Sequence, residues 1–144
     1  MNQRFVPMRS YEDGLAAMDW LVGVFGFSRG VTMTDEAGRL THGELELDGQ
    51  RIMLASASPD YRNPIHMRAE YDAAGKWLEL PYIFDGVLVY VDDLDATFGR
   101  AVAAGAEILS PIEDGFPGRR FRMADLEGHR WFVFQAVDLE SAMD

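Results

Sequence analysis

The sequence predicts an α+β protein made of two tandem β-α-β-β-β modules. Three observations carry that prediction. Sliding the chain along itself by 79 positions matches residues 5–57 without a gap and gives eleven identities in fifty-three positions, where average usage gives roughly three or four. Within each copy the apolar spacing passes from alternation to a helical period and back to alternation. Glycines fall at matched positions, Gly26 with Gly105 and Gly49 with Gly128, where a helix must end and a hairpin must turn.

Each copy reads in the same order. The first opens with a strand over Phe5–Ser10, followed by a helix over Asp13–Val24 that stops at Gly26. Strands follow over Ser28–Thr34, Leu40–Leu47 and Arg51–Ala55, the last two joined by Asp48-Gly49, a strong hairpin pair. The second copy gives a strand over Gly86–Val91 and a helix over Leu94–Ala104, with Asp92, Asp93 and Asp95 where carboxylates satisfy free N–H groups. Its remaining strands are Glu107–Ser110, Arg119–Ala124 and His129–Gln135, with a turn at Glu127-Gly128. Between the copies, Ser56–Pro64 reads as loop and Ile65–Leu80 as one inserted helix, with Met67, Tyr71, Ala74 and Leu78 on one side. That helix suits either a cover over a cavity mouth or a plain linker packed outside. The expected units are 1–57, a linker over 58–83, 84–137, and a fraying acidic tail over 138–144.

Composition excludes several function classes. Thirteen Lys and Arg against 24 Asp and Glu give a formal charge of −11. Nucleic acid and anionic membrane surfaces are therefore poor partners, because both demand a dense basic footprint. No cysteine is present, which removes disulfides, thiolate metal sites and thiol nucleophiles. No apolar run approaches the ~20 residues of a spanning helix, and the first residues lack a signal-peptide core. The expected location is the cytoplasm. Neither a Gly-x-Ser-x-Gly elbow nor a phosphate-cradling loop is present.

The repeat, together with Val-Tyr-Val-Asp-Asp-Leu-Asp-Ala (89–96), Ala-Ala-Gly-Ala (103–106), Asp-Leu-Glu-Gly-His-Arg-Trp (125–131) and the Phe25-Gly26-Phe27 turn, resembles the vicinal oxygen chelate superfamily of glyoxalases, bleomycin resistance proteins and extradiol dioxygenases. The usual Pro after Asp125 is Leu126 here. The resemblance implies that the modules pair into a curved, partly open mixed sheet, with helices outside and a ligand on the inner face. It also implies up to four His, Glu or Gln ligands for a divalent ion acting as a Lewis acid. The positions it assigns are Pro7 and Gly86 on the first strands, Phe132 on the last strand, and Met53 or, with a hairpin one residue longer, Leu54. None can coordinate a divalent ion, so no metal and no cofactor is expected there.

The histidines offer little replacement. His42, Glu44 and Glu46 alternate along one strand face, but a two-residue step chelates poorly without a further ligand. His129 belongs to the closing motif and suits a structural role; His66 opens the inserted helix. With the ion positions apolar, the inner face becomes a greasy hollow with a few arginines. The expected ligand-binding residues are Phe5, Arg9, Trp77, Tyr82, Leu88, Tyr90, Arg120, Arg122 and Phe132. The family register turns Arg120 and Arg122 inward, where a guanidinium can hold a carboxylate or phosphate by two parallel hydrogen bonds. No catalytic residue is assigned.

Two functions compete. One is a bleomycin-resistance-like binder of a drug or metabolite, often a homodimer in this family, whose negative field favours encounter with cationic drugs. The alternative is a glyoxalase-like lyase or isomerase, or a dioxygenase-type enzyme, using a metal or acid–base pair at His42 and Glu44. A module acting only by protein association has no linker or exposed motif to support it.

Overall fold

A computed structural model describes residues 3–81, 85–116 and 118–136. Its element order is β1 (Met8–Tyr11), α1 (Gly14–Phe25), β2 (Ser28–Thr34), β3 (Leu40–Leu47), β4 (Gln50–Ser56), α2 (Pro64–Glu70), α3 (Asp72–Trp77), β5 (Gly86–Val91), α4 (Leu94–Ala103), β6 (Glu107–Glu113), β7 (Arg120–Ala124) and β8 (Arg130–Gln135). Two β-α-β-β-β modules form two mixed four-stranded sheets, ordered β1-β4-β3-β2 and β5-β8-β7-β6. In each, the first strand runs parallel to the last and the other pairs are antiparallel.

The local devices are those the residues demand. Asp13 and Asp93 cap α1 and α4 by accepting from the amides of Ala16 and Ala96. Asp48 and Gly49 both hold positive φ, 52° and 77°, as a two-residue hairpin of the I′ kind requires. β1 starts at Met8 rather than Phe5. β6 runs past Ser110 to Glu113, with its register shifting on the way, which lets Pro111 sit in an edge strand.

The inserted helix is two helices, broken at Tyr71, whose backbone is extended (φ −127°, ψ 119°). The reason lies in its anchors. At the start, the Ile65 amide donates to the Glu127 carbonyl; at the end, the Arg130 guanidinium donates to the carbonyls of Leu78 (2.6 Å) and Leu80. A straight helix over 65–80 would run about 22 Å, so a chain tied at both ends to one short hairpin has to fold back.

The modules meet through their helix-covered faces. Leu21, Val24, Phe25 and Phe27 share one core with Phe121, Met123, Trp131 and Val133. The Phe25 and Trp131 ring centroids are 5.1 Å apart. Trp20 Nε1 donates to the Ala104 carbonyl, and Arg100 Nε to the Val24 carbonyl, at 2.9 and 2.8 Å.

The closing motif of the second module locks this seam. Asp125, buried, accepts from Tyr11 Oη at 2.7 Å and from Trp131 Nε1 at 3.0 Å. Glu127, also buried, accepts from the amides of Glu12 (2.7 Å) and Asp13 (2.9 Å), just ahead of α1, and from Asn63 Nδ2 (3.0 Å). His129 Nε2 donates to the Ser10 carbonyl at 2.6 Å. Burial, with Asp125 next to it, pushes the Tyr11 phenol well above its ordinary pKa. Burial holds the His129 imidazole below its ordinary 6.5.

Two outcomes follow. Tyr11→Phe leaves a buried carboxylate short of a donor and costs about 1.5–3 kcal/mol, read as a lower urea midpoint at unchanged slope. Above pH 6.5 His129 is neutral in both folded and unfolded chains and costs nothing. As pH falls below 6.5 the unfolded chain takes the proton first, so stability declines until the lower folded pKa is passed. His129→Gln flattens that part of the stability–pH curve; an unchanged curve would assign the dependence to another group.

Candidate functional site: the open sheet faces

Each sheet has one face on a helix and one face open. In the second module, Phe121, Met123, Trp131 and Val133 point into the core. By alternation, Arg120, Arg122, Phe132 and Phe134 take the other face. The register sets two rows across it: Leu88, Phe132 and Arg122 in one, Tyr90, Phe134 and Arg120 in the other. The Tyr90 and Phe134 centroids lie 5.9 Å apart, and the Arg122 guanidinium carbon lies 5.5 Å from the Phe132 ring centroid. Leu88 and Tyr90 are 45% and 57% exposed, so this aromatic face is uncovered in the single chain.

The open face of the first module differs in chemistry. Its rows are Met8, Met53 and Glu44, then Ser10 with Ala55 and His42 with Met33. Glu44 Oε1 lies 3.5 Å from Arg51 Nη1 and 3.6 Å from His42 Nε2. His42, Glu44 and Glu46 therefore belong to the open face, a question their spacing alone left undecided. The methionines Met8, Met33 and Met53 were absent from the expected site, although Met53 held one of the tested positions.

The expected ligand-binding residues separate into groups. Leu88, Tyr90, Phe132, Arg120 and Arg122 come together on the second module's open face. Arg120 is engaged by its own loop: it donates to the Gly118 carbonyl at 3.0 Å and lies 3.6 Å from Glu113. Arg9 lies on the opposite side of its strand. It donates to the Arg130 carbonyl at 2.7 Å, stacks 5.0 Å from the Trp131 ring, and has its pKa lowered by burial. Arg130, on the same side of β8 as Phe132, is buried, on the inserted helices. Phe5 lies ahead of β1 and is 89% exposed. Trp77 ends α3, half exposed. Tyr82 and Phe84 lie outside the described residues.

The residues at the implied ion positions do not fit a divalent ion. Met53 and Phe132 do face the open side, while Leu54 is buried against the helix. Pro7 lines a cleft between the modules, and its neighbour on the open face is Met8. At the remaining position the Phe132 ring fills the space: a Cβ built on Gly86 would meet Phe132 Cε2 and Cζ at 2.9 Å. Among the described residues no three His, Asp or Glu side chains gather as a metal site.

A cleft of about 290 Å³ runs between the β3–β4 hairpin and β5, floored by Phe27, Leu45, Ile52 and Trp131, with Leu88 and Tyr90 on its rim. The inserted helices do not line it. They cover a smaller hollow of about 150 Å³ between Pro64, Met67, Leu78, Asp85, His129 and Arg130. Among the described residues no helix is long and apolar enough to cross a membrane.

Comparison with known proteins agrees with this architecture. The profile of the glyoxalase/bleomycin resistance protein/dioxygenase superfamily matches residues 8–133. An uncharacterised protein of Mycobacterium bovis is 30% identical over 136 residues, covering 91% of this chain and 82% of its own. TioX from Micromonospora sp. ML1 superposes with a TM-score of 0.65 at 31% identity, over 94% of this chain and 98% of its own. The fosfomycin resistance protein FosX of Listeria monocytogenes, in a complex with Mn(II) and sulfate, superposes with a TM-score of 0.64 over 99% of this chain and 97% of its own. At 12% identity that likeness concerns the fold alone. With the repeat, the sheet order and the profile in agreement, the chain belongs to the glyoxalase/bleomycin resistance protein/dioxygenase superfamily.

Proposed function

We infer that the protein binds a small organic molecule, a drug or metabolite, against its open sheet faces, and does so without the divalent ion that the superfamily's chelating members use. The observation that carries this reading is the second module's open face, where Leu88, Tyr90, Phe132 and Phe134 form an uncovered aromatic surface beside Arg122. Contiguous exposed apolar surface of this kind marks binding faces. The chain works in the cytoplasm as a homodimer. A second copy would cover the exposed apolar residues of both open faces, Met8 and Met33 on the first module and Leu88 and Tyr90 on the second.

A second reading rests on one distance. His42 Nε2 stands 3.6 Å from Glu44 Oε1 on an open face, the arrangement of an acid–base pair for lyase or isomerase chemistry. Glu44 is shared with Arg51, which holds it as an ion-pair partner, and this favours the binding role.

The test is a thermal-shift screen over drugs, aldehydes and aromatic acids, since binding raises the melting temperature by mass action. Phe132→Ala should weaken any hit by about tenfold or more while the unliganded melting point moves by only a few degrees. Chelation should leave binding unchanged. Loss on chelation with recovery on adding zinc or manganese would overturn the metal-free reading, and a bound ion lost in His42→Ala would move the protein to the enzyme class. For the dimer, Tyr90→Glu should shift sedimentation toward the monomer.

A further inference from the structure

The positions where a chelating relative would carry ion ligands hold a different device in the second module. Phe132 leans its ring over the start of β5. The space under that ring exists because residue 86 is glycine: a Cβ there would press on Cε2 and Cζ at 2.9 Å and on Cδ2 at 3.4 Å. Gly86 is not among the glycines with positive φ, so the backbone does not require it; the ring does. Opposite Phe132 on the next strand stands Arg122, its guanidinium carbon 5.5 Å from the ring centroid.

Arg122 differs from its neighbours. Arg119 is paired with Asp95 and Asp114, and Arg120 with Glu113 and two loop carbonyls. Among the described residues Arg122 has no hydrogen bond and no ion pair, though it is half-buried. Its guanidinium carbon lies over the ring, a contact that uses none of its five N–H donors as a hydrogen bond. A half-buried guanidinium with unused donors, held over an aromatic ring and next to Leu88, is built to receive an oxyanion joined to an apolar body.

Building on the binding function above, we propose that the Gly86–Phe132–Arg122 stack supplies at this face the positive charge that a divalent ion supplies in chelating relatives. The ligand class is then a planar aromatic carboxylate, its two oxygens on Arg122 and its ring along Phe132 and Leu88. Gly86 acts as a positioning residue: it touches no ligand, but it sets the ring that sets the guanidinium.

The experiment compares 2-naphthoate with its neutral amide, 2-naphthamide, by calorimetric titration of the full chain. The wild type should bind the carboxylate about tenfold more tightly, and rising salt should narrow that ratio. Arg122→Gln should bring the ratio to about one while leaving amide binding in place; Arg122→Lys, a point charge without the fork, should restore only part of it. Gly86→Ala should lower the ratio several-fold with little change in melting temperature, an effect that a purely structural glycine would not produce. An Arg122→Gln ratio equal to that of wild type overturns the proposal. Equal binding of both probes by wild type overturns the anion site and leaves the binding function standing. Binding of neither probe up to millimolar concentration also overturns the anion site, and the thermal-shift screen then decides separately on the binding function. Should Gly86→Ala fail to fold, the two Arg122 variants still decide.

Discussion

Two buried carboxylates, Asp125 and Glu127, hold the molecule together. They sit in one hairpin of the second module, yet most of their side-chain donors come from elsewhere: Tyr11 from β1, the amides ahead of α1, and Asn63 from the insert. A buried carboxylate is tolerable only when its lone pairs are met. That requirement forces two distant stretches of chain, 11–13 and the insert at Asn63, to converge on four residues of turn. Apolar packing of Phe25 and Phe27 on Trp131 supplies the bulk of the cohesion, but packing is non-directional. The carboxylates fix which face of the first module meets the second.

The surface left open for a ligand follows from that choice by elimination. The helix-covered faces are used up in the seam, and the inserted helices are tied at both ends to the Glu127–Arg130 turn. What remains is two sheet faces of opposite character, one with methionines and carboxylates, the other with aromatic rings and arginines. Methionine adapts its shape to whatever lies against it, whereas rings and guanidinium groups impose orientation. The first face is thus suited to tolerance and the second to selection.

The sequence reveals the elements far better than it reveals which side of them faces the site. β2, β3 and β5 fall where alternation puts them. Arg9 shows the limit. The repeat aligns without gaps at 79, yet the helix caps Asp13 and Asp93 are eighty positions apart while the turn glycines Gly49 and Gly128 are seventy-nine. One residue is immaterial to a repeat search and decisive for a strand, because it turns every side chain to the other face. Tyr11, aligned with Tyr90, is buried on Asp125, while Tyr90 lies open; Arg9 turns into the seam by the same shift. The break at Tyr71 was illegible for another reason: it is imposed by anchors on Glu127 and Arg130, distant in sequence, which local periodicity cannot report. Arg122 takes the face that the family register implied, because β7 and β8 bury a complete alternate set, Phe121, Met123, Trp131 and Val133, which leaves no freedom about the other set.

An arginine face on a chain of charge −11 looks contradictory until distance is considered. At physiological salt the summed acidic field is screened beyond about 8 Å, so it slows the approach of an anion without deciding whether the anion stays. What decides is the last few ångströms, where a half-buried guanidinium acts through a lower effective dielectric than bulk water provides. A divalent ion would supply more charge there, but it needs imidazole or carboxylate ligands, and Met8, Met53, Gly86 and Phe132 leave no place for them. Arginine carries its charge covalently, needs no ligand set, and can rest on the ring that fills the ion's position. In the proposed site, where those positions are apolar, the guanidinium on the adjacent strand is the group able to grip an oxyanion.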